Sequence, residues 1–322
     1  MEIRTLPRTD LAVSRACFGN LTFGTQTGEA DAARMVDLAI DRGINFFDTA
    51  NVYSQGRAET ILGNILKGRR SRIILASKVG MKGSQPADVS TLSRKSILAN
   101  IDTSLTRLQT DYLDLYYLHM PDYSARIEES LEAFDDVVRA GKVRYPAISN
   151  FASWQVAQVL WISEKKGYRP PVVSQPMYNL LARGIEQEYI AFSKEFGIPM
   201  VVYNPLAGGM LTGKQQRSRP LPGTRFDNNQ LYLDRYWHPA YFDAVDELLG
   251  VARQAGRSLV DISLNWLLHH TAADCVILGA SRPEQLVENL DAFDRGPLTA
   301  ETLAACDAVW QKLRGITPNY NR

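Results

Sequence analysis

The chain has 322 residues, 45% of them hydrophobic and 22% charged, an ordinary globular composition. Its formal net charge of +1 offers no basic surplus for nucleic acid or an anionic membrane surface, and no uncharged apolar run reaches membrane-spanning length. Three cysteines, Cys17, Cys275 and Cys306, are odd in number and far apart, and the start Met-Glu-Ile-Arg has no apolar signal core, so a reduced, cytoplasmic setting is expected.

Taken in order, short apolar runs alternate with longer amphipathic ones. Residues 2–15 suit a hairpin, Glu2–Leu6 with Leu11–Ala16, closing the floor of whatever follows. Candidate strands are 16–19, 44–47, 73–77, 113–118, 143–148, 172–175, 199–203 and 274–278, each short and bounded by Gly, Pro or polar residues, as strands buried on both faces are. Between them lie helical patterns at 29–42, 94–108, 126–140, 153–166, 184–196, 240–255, 258–269, 283–292 and 299–314, several ending at glycine. Ser93 and Ser153 read as N-caps. Eight strands alternating with helices predict a parallel sheet, best closed as an α/β (β/α)8 TIM barrel over residues 1–322 as one domain, with an N-terminal β-hairpin and extra C-terminal helices. An open doubly wound sheet is the alternative, but the G-x-G-x-x-G turn that would support it does not occur. Residues 204–236 form a long loop rich in Gly, Pro, Arg and Asn, a length that usually carries function.

In a barrel the chemistry gathers where strands end. Those ends carry Asn20, Asp48, Lys78, His119, Ser149 with Asn150, Gln175, Tyr203 and Gly279, with Tyr53 just beyond the second. A lone strand-end Asp caps a helix, a lone Lys is solvated and a lone buried His is a satisfied core residue; only the convergence argues for a site. An ammonium beside a phenol stabilises the phenolate and lowers a pKa whose ordinary value is ~10. Asp48 would hold Lys78, and His119 would orient a carbonyl oxygen. The set is suited to protonating an oxygen while something else attacks carbon.

Read together, these segments resemble the aldo-keto reductases over nearly the whole chain. The motifs are Gly-Ile-Asn-Phe-Phe-Asp-Thr-Ala-Asn-Val-Tyr-Ser (43–54), Ser77-Lys78, the run 111–119 ending at His119, Ser149-Asn150-Phe151 and the segment 279–289. The stretch 203–214 is similar to the branches holding potassium-channel β subunits and aflatoxin-aldehyde reductases. The resemblance implies NADPH-dependent, reversible reduction of an aldehyde or ketone, with Asp48, Tyr53, Lys78 and His119 as the catalytic set and Tyr53 as general acid. It implies NADP, with NAD the lesser expectation, lying along the barrel mouth. Asn20, Asp48, Ser149, Asn150, Gln175 and Tyr203 would take the nicotinamide end; Asn204, Pro205, Leu206, Gly208, Lys214 and Arg225 the pyrophosphate; and Gly279, Ala280, Ser281, Arg282, Gln285, Glu288 and Asn289 the adenosine end. Phe23, Tyr53, His119 and Trp154, with parts of 80–92 and 204–237, would wall the substrate. No metal is expected.

Three departures stand out: Pro146 inside the fifth strand, where it cannot donate to the ladder; Asn204 where Ser is usual; and Gly279-Ala280 where some branches carry Lys-Ser, which bears on NADP over NAD. Gly208 to Lys214 mimics a phosphate-binding loop, but Gln215 replaces the metal-binding Ser or Thr. His269-His270 point in different directions on a helix and read as surface histidines rather than ligands. One rival is an aldolase with Lys78 as Schiff-base nucleophile. Another is an NADP-sensing regulatory or binding subunit with little turnover; the channel subunits lack the strand-four His present here as His119. Tyr232, Tyr236 and Trp237 suggest either an apolar pocket or a homo-oligomer contact. The expected partner is a small-molecule carbonyl or alcohol, with no nucleic acid and no membrane.

Overall fold

Alternating inward and outward side chains, interrupted by helices, organise residues 1–83 and 90–316, the part of the chain that the computed structural model describes. A hairpin leads, β1 (Ile3–Thr5) antiparallel to β2 (Ala12–Ser14). The parallel strands are β3 (Ala16–Gly19), β4 (Phe46–Asp48), β5 (Ile74–Val79), β6 (Leu113–Leu118), β7 (Val143–Ser149), β8 (Ser174–Gln175), β9 (Val201–Val202) and β10 (Cys275–Gly279). Around them run α1 (Glu29–Asp41), α2 (Arg57–Leu66), α3 (Arg94–Leu108), α4 (Ile127–Arg139), α5 (Ser153–Lys166), α6 (Tyr189–Glu195), α7 (Gln230–Tyr236), α8 (Pro239–Gln254), α9 (Leu259–His270), α10 (Pro283–Phe293) and α11 (Ala300–Arg314). The sheet order is β8-β7-β6-β5-β4-β3-β10-β9, and single bridges from Ser174 to Met200 and Met177 to Tyr203 join its two edges. This is the (β/α)8 TIM barrel that the strand–helix alternation predicts, with the doubly wound alternative set aside.

The core has two layers. Inside the barrel, Cys17, Phe46, Ala76, Leu115, Tyr117, Ala147, Val173, Val201 and Cys275 pack on one another, and Leu6, Leu11 and Val13 of the hairpin seal the floor. Outside it, Phe18, Phe47, Leu75, Tyr116, Leu118 and Val202 face the helices. Neighbours along a strand thus go to opposite layers, as a pleated strand requires. Hence Asp48, two residues after inward Phe46, and Lys78, two after inward Ala76, point into the barrel at its upper end.

Several local expectations change. Helix α2 was not among the expected helices, although Ala58, Ile61, Leu62 and Leu66 are buried at helical spacing. The segment 184–196 divides into a 3-10 turn, Gly184–Glu186, and α6. Ser93 caps α3 by accepting from Ser96 N at 3.3 Å. Ser153 instead lies inside α5 with its hydroxyl on Glu188, while Gln155 Oε1 accepts from Ala152 N at 2.9 Å. Pro146 does not break β7, which runs unbroken over seven residues. Its carbonyl accepts from Val172 N at 3.0 Å, so its missing N–H faces the side where β8 is only two residues long. The three cysteines are buried and free, and among the described residues no helix is long and apolar enough to cross a membrane.

The floor is locked by charge. Asp114, 2% exposed, accepts from Arg70 at 2.8 Å, Arg144 at 2.6 Å and Leu75 N at 2.9 Å, and Arg144 also pairs with Asp10 of the hairpin turn at 2.6 Å. Removing one member leaves the others desolvated and short of partners, which costs several kcal/mol when fully buried. Because both arginines keep some contact with water, Asp114→Ala is expected to lower unfolding stability by about 2–4 kcal/mol, read from chemical denaturation.

Candidate active site

The upper layer of inward side chains brings Asp48, Lys78, Ser149, Gln175 and Tyr203 around one opening. Lys78 has 0% of its surface exposed. Its ammonium donates to Asp48 Oδ1, to Thr49 O at 2.8 Å and to Tyr53 Oη at 3.5 Å. It also lies 5.2 Å from the centre of the Tyr53 ring and 5.7 Å from that of Tyr117. The second carboxylate oxygen of Asp48 accepts from Gln175 Nε2 at 3.0 Å. Asp48 and Tyr53 therefore meet Lys78 although the three come from different parts of the chain.

Electrostatics refine the expected chemistry. Burial alone would lower the Lys78 pKa, but Asp48 and Tyr53 hold the ammonium above its ordinary value, so it stays charged. For Tyr53 the expected pull of Lys78 is present and lowers the phenol pKa, but burial raises it by more, so the balance stays above the ordinary value. The phenol of the free protein is thus protonated at neutral pH. His119, whose ring lies edge-on to Tyr53 at 5.9 Å, is held well below its ordinary value by burial and then by Lys78, so it is neutral and carries one ring N–H. Its Nδ1 is buried without a hydrogen-bond partner among the described residues.

The wall from β7 to β9 is amide-rich. Ser149 Oγ donates to Gln175 O at 2.9 Å, and Asn150 Nδ2 donates to His119 O at 2.8 Å and Ser149 Oγ at 3.1 Å. Tyr203 Oη donates to Asn150 Oδ1 at 2.6 Å. Asn150 and Asn204 have φ of 61° and 63°, a region asparagine tolerates better than most residues, which is a physical reason for Asn at 204. Pro205 is buried, Leu206 and Gly208 are half-buried, and Lys214 is exposed. Arg225 and Arg235 stand 5.3 Å and 5.5 Å from the Tyr232 ring centre, and neither forms an ion pair among the described residues. Arg235 was not among the expected residues; only α7, inside the long loop, brings it here.

At the β10 end, Gly279 faces open space, and a Cβ placed there would have no heavy atom within 4 Å. Asn289 Nδ2 supports it from α10 by donating to Gly279 O at 3.3 Å. Gln285 Oε1 accepts from Ser281 N and Oγ at 2.9 Å and 3.0 Å, while Ala280 is buried. Arg282, exposed, precedes α10, and Glu288 is exposed on it.

Some expected residues lie elsewhere. Asn20 is buried and spends its amide on Ala58 O at 3.2 Å, toward α2. Phe23 is 0% exposed and packs against Phe18 in the outer core, so it does not wall the opening in this form. Tyr232 and Tyr236 are buried and pack with Phe226, Trp237 and Tyr241 as the long loop's own core, with the Tyr232 hydroxyl donating to Asn204 Oδ1 at 3.4 Å. Trp154, 62% exposed at the start of α5, does stand free, and Met120 and Tyr123 beyond β6 are exposed as well. Of the segment 80–92, residues 84–89 lie outside the described residues. The two histidine-rich and glycine-rich decoys have structural duties: His270 Nε2 accepts from Leu298 N at 2.9 Å, and Gln215 Oε1 from Leu221 N at 3.2 Å.

The fold is a TIM barrel whose mouth holds a buried Lys–Asp pair beside a tyrosine and a histidine. The profile described as the Aldo/keto reductase family matches residues 15–311, and the chain belongs to that family, which makes it an oxidoreductase acting on carbonyl groups. It is 35% identical to "Aflatoxin B1 aldehyde reductase member 2" of Homo sapiens over 94% of this chain and 88% of that one. It is 33% identical to "Probable voltage-gated potassium channel subunit beta" of Oryza sativa subsp. japonica over 99% and 100% of the two chains. It is also 35% identical to "Uncharacterized oxidoreductase YrpG" of Bacillus subtilis (strain 168), over 99% and 98%.

The neutral His119 has a measurable consequence. An unfolded histidine takes up a proton as pH falls through ~6.5, whereas the folded one stays neutral until much lower pH, so unfolding absorbs a proton and stability is lost as pH falls below ~6.5. One such group contributes a slope of up to about 1.4 kcal/mol per pH unit. His269 and His270 are depressed in the same direction, so the comparison with His119→Leu isolates this residue. The variant is expected to lose stability less steeply between pH 6.5 and 5 in denaturant titrations.

Proposed function

We propose that the protein reduces an aldehyde or ketone to the alcohol with NADPH, reversibly, and that Asp48, Tyr53, Lys78 and His119 carry the chemistry. The observation that carries this reading is the wholly buried Lys78 ammonium, paired with Asp48 and 3.5 Å from the Tyr53 hydroxyl. When bound, the nicotinamide supplies hydride from C4 to the carbonyl carbon. Tyr53 Oη gives its proton to the carbonyl oxygen. Lys78 stabilises the phenolate left behind, which a lone buried tyrosine would resist. Asp48 keeps the ammonium aimed and charged. The neutral His119 donates its N–H to the same oxygen and fixes its angle.

The residues present suit such a cofactor. Ser149, Asn150 and Gln175 offer the donors and acceptors a carboxamide needs, and Tyr203 offers a half-exposed ring beside them. Arg225 and Arg235, cationic and without carboxylate partners among the described residues, suit a pyrophosphate, joined by Lys214 and the backbone of Asn204, Pro205, Leu206 and Gly208. Gly279 leaves room for close approach, Gln285, Glu288 and Asn289 suit the adenosine, and the start of α10 behind Ser281 and Arg282 suits a 2′-phosphate. The substrate would approach past Trp154.

Two tests follow. Tyr53→Phe is expected to lower NADPH-dependent reduction of 4-nitrobenzaldehyde by about 10²–10⁴-fold with NADPH affinity within about twofold of native; native turnover in that variant would remove Tyr53 as the acid. Arg282→Ala should weaken NADPH binding by roughly tenfold while leaving NADH binding unchanged, as measured by quenching of protein fluorescence. An equal effect on both cofactors would exclude Arg282 as the 2′-phosphate ligand.

A further inference from the structure

The segment that carries Tyr53 has a strained backbone. Directly after the tyrosine, Ser54, Gln55 and Gly56 have φ of 50°, 57° and 91°, three left-handed residues in succession, two of them with side chains. Such conformations persist only where the surroundings over-determine them.

Ser54 Oγ donates to Phe23 O at 2.6 Å, and Arg107, in the last turn of α3, braces the turn as well. Its Nη1 donates to Asn51 O at 3.3 Å and to Glu59 Oε2 at 3.2 Å. The guanidinium lies so close to the loop that a Cβ on Gly56 would sit 2.2 Å from its Cζ. Two turns along α2, a Cβ on Gly63 would meet Arg107 O at 2.4 Å, so the two helix backbones touch where the arginine projects. Glu59, with 0% of its surface exposed, also accepts from Ser77 Oγ at 2.6 Å. Ser77 faces outward on β5 and is the residue before Lys78, which faces inward. Asn51 adds a second tie to α3, Nδ2 to Asn100 Oδ1 at 2.7 Å.

From this we infer that Arg107, Glu59 and Ser77 form a positioning cluster that sets the separation of the Tyr53 hydroxyl and the Lys78 ammonium. One buried carboxylate holds β5 at the lysine's neighbour, while the guanidinium it pairs with holds the loop of the tyrosine. The inference rests on the reading of Tyr53 as proton donor. None of the three touches the reacting atoms; they act through the two residues that do. A purely structural buttress would have the same hydrogen bonds but would affect stability without selecting kcat.

The test compares Arg107→Met and Glu59→Gln/Arg107→Met, the latter leaving no unpaired buried charge. Both are made in the native chain and in Tyr53→Phe, with 4-nitrobenzaldehyde and NADPH. The expected result is a fall in kcat of about tenfold or more with KM and NADPH affinity within about twofold. Added to Tyr53→Phe, the same changes should lower the residual single-turnover rate no further. Unchanged kcat in either folded variant would overturn the inference, as would an equal fall in both backgrounds. Should Arg107→Met alone not fold, the double variant decides. Native turnover in Tyr53→Phe by itself would instead reject the proton-donor reading, so the two failures are separable.

Discussion

A lysine ammonium shut inside a barrel must be neutralised where it lies, and most of the upper part of this molecule answers that requirement. Desolvating a cation is expensive unless charge and hydrogen bonds replace the water. Here Asp48 supplies the charge, the Thr49 carbonyl a second acceptor, and the Tyr53 and Tyr117 rings the flanks. The pairing works because β4 and β5 are adjacent and Asp48 and Lys78 share the inward parity of Phe46 and Ala76. Shifting either strand by one residue would turn its charge into the helix layer. The register of the barrel and the electrostatics of the mouth are therefore one constraint.

That constraint extends outward. Gln175 ties the carboxylate to β8, and the Ser149–Asn150–Tyr203 chain continues round to β9, so the polar wall is preorganised. On the other flank the strained turn after Tyr53 is held from α3 and α2. The floor has its own ionic lock at Asp114, remote from the opening. The barrel thus separates the charges that fix its closed end from those that act at its open end, with an apolar layer between them.

Much of this was legible in the sequence because strand ends are punctuated. Asp48, Lys78 and His119 each close a short apolar run, and the parity of the run gives their direction. Helix α2 was missed because it starts in an irregular turn and spans only ten residues, although its apolar spacing is clear in retrospect. Arg235 and the inward packing of Tyr232 and Tyr236 depend on how a long loop folds on itself, which no local pattern encodes. Asn20 and Phe23 sit beside strand ends, but their side chains leave on the helix side. The pull of Lys78 on Tyr53 could be read from motifs, while the depth of burial that outweighs it is a property of the closed barrel.

The most direct measurement is the titration of Tyr53 itself, followed by NMR of protein labelled with ¹³C at tyrosine Cζ, with Tyr53→Phe assigning the resonance. It would be made in the native chain and in Lys78→Met. Losing the ammonium is expected to move the phenol's ionisation to higher pH than in the native chain, since burial, Asp48 and Tyr232, all of which raise it, then act without the opposing charge. An unchanged titration would mean that Lys78 does not govern the phenol, and the proposed division of labour between the two residues would be wrong.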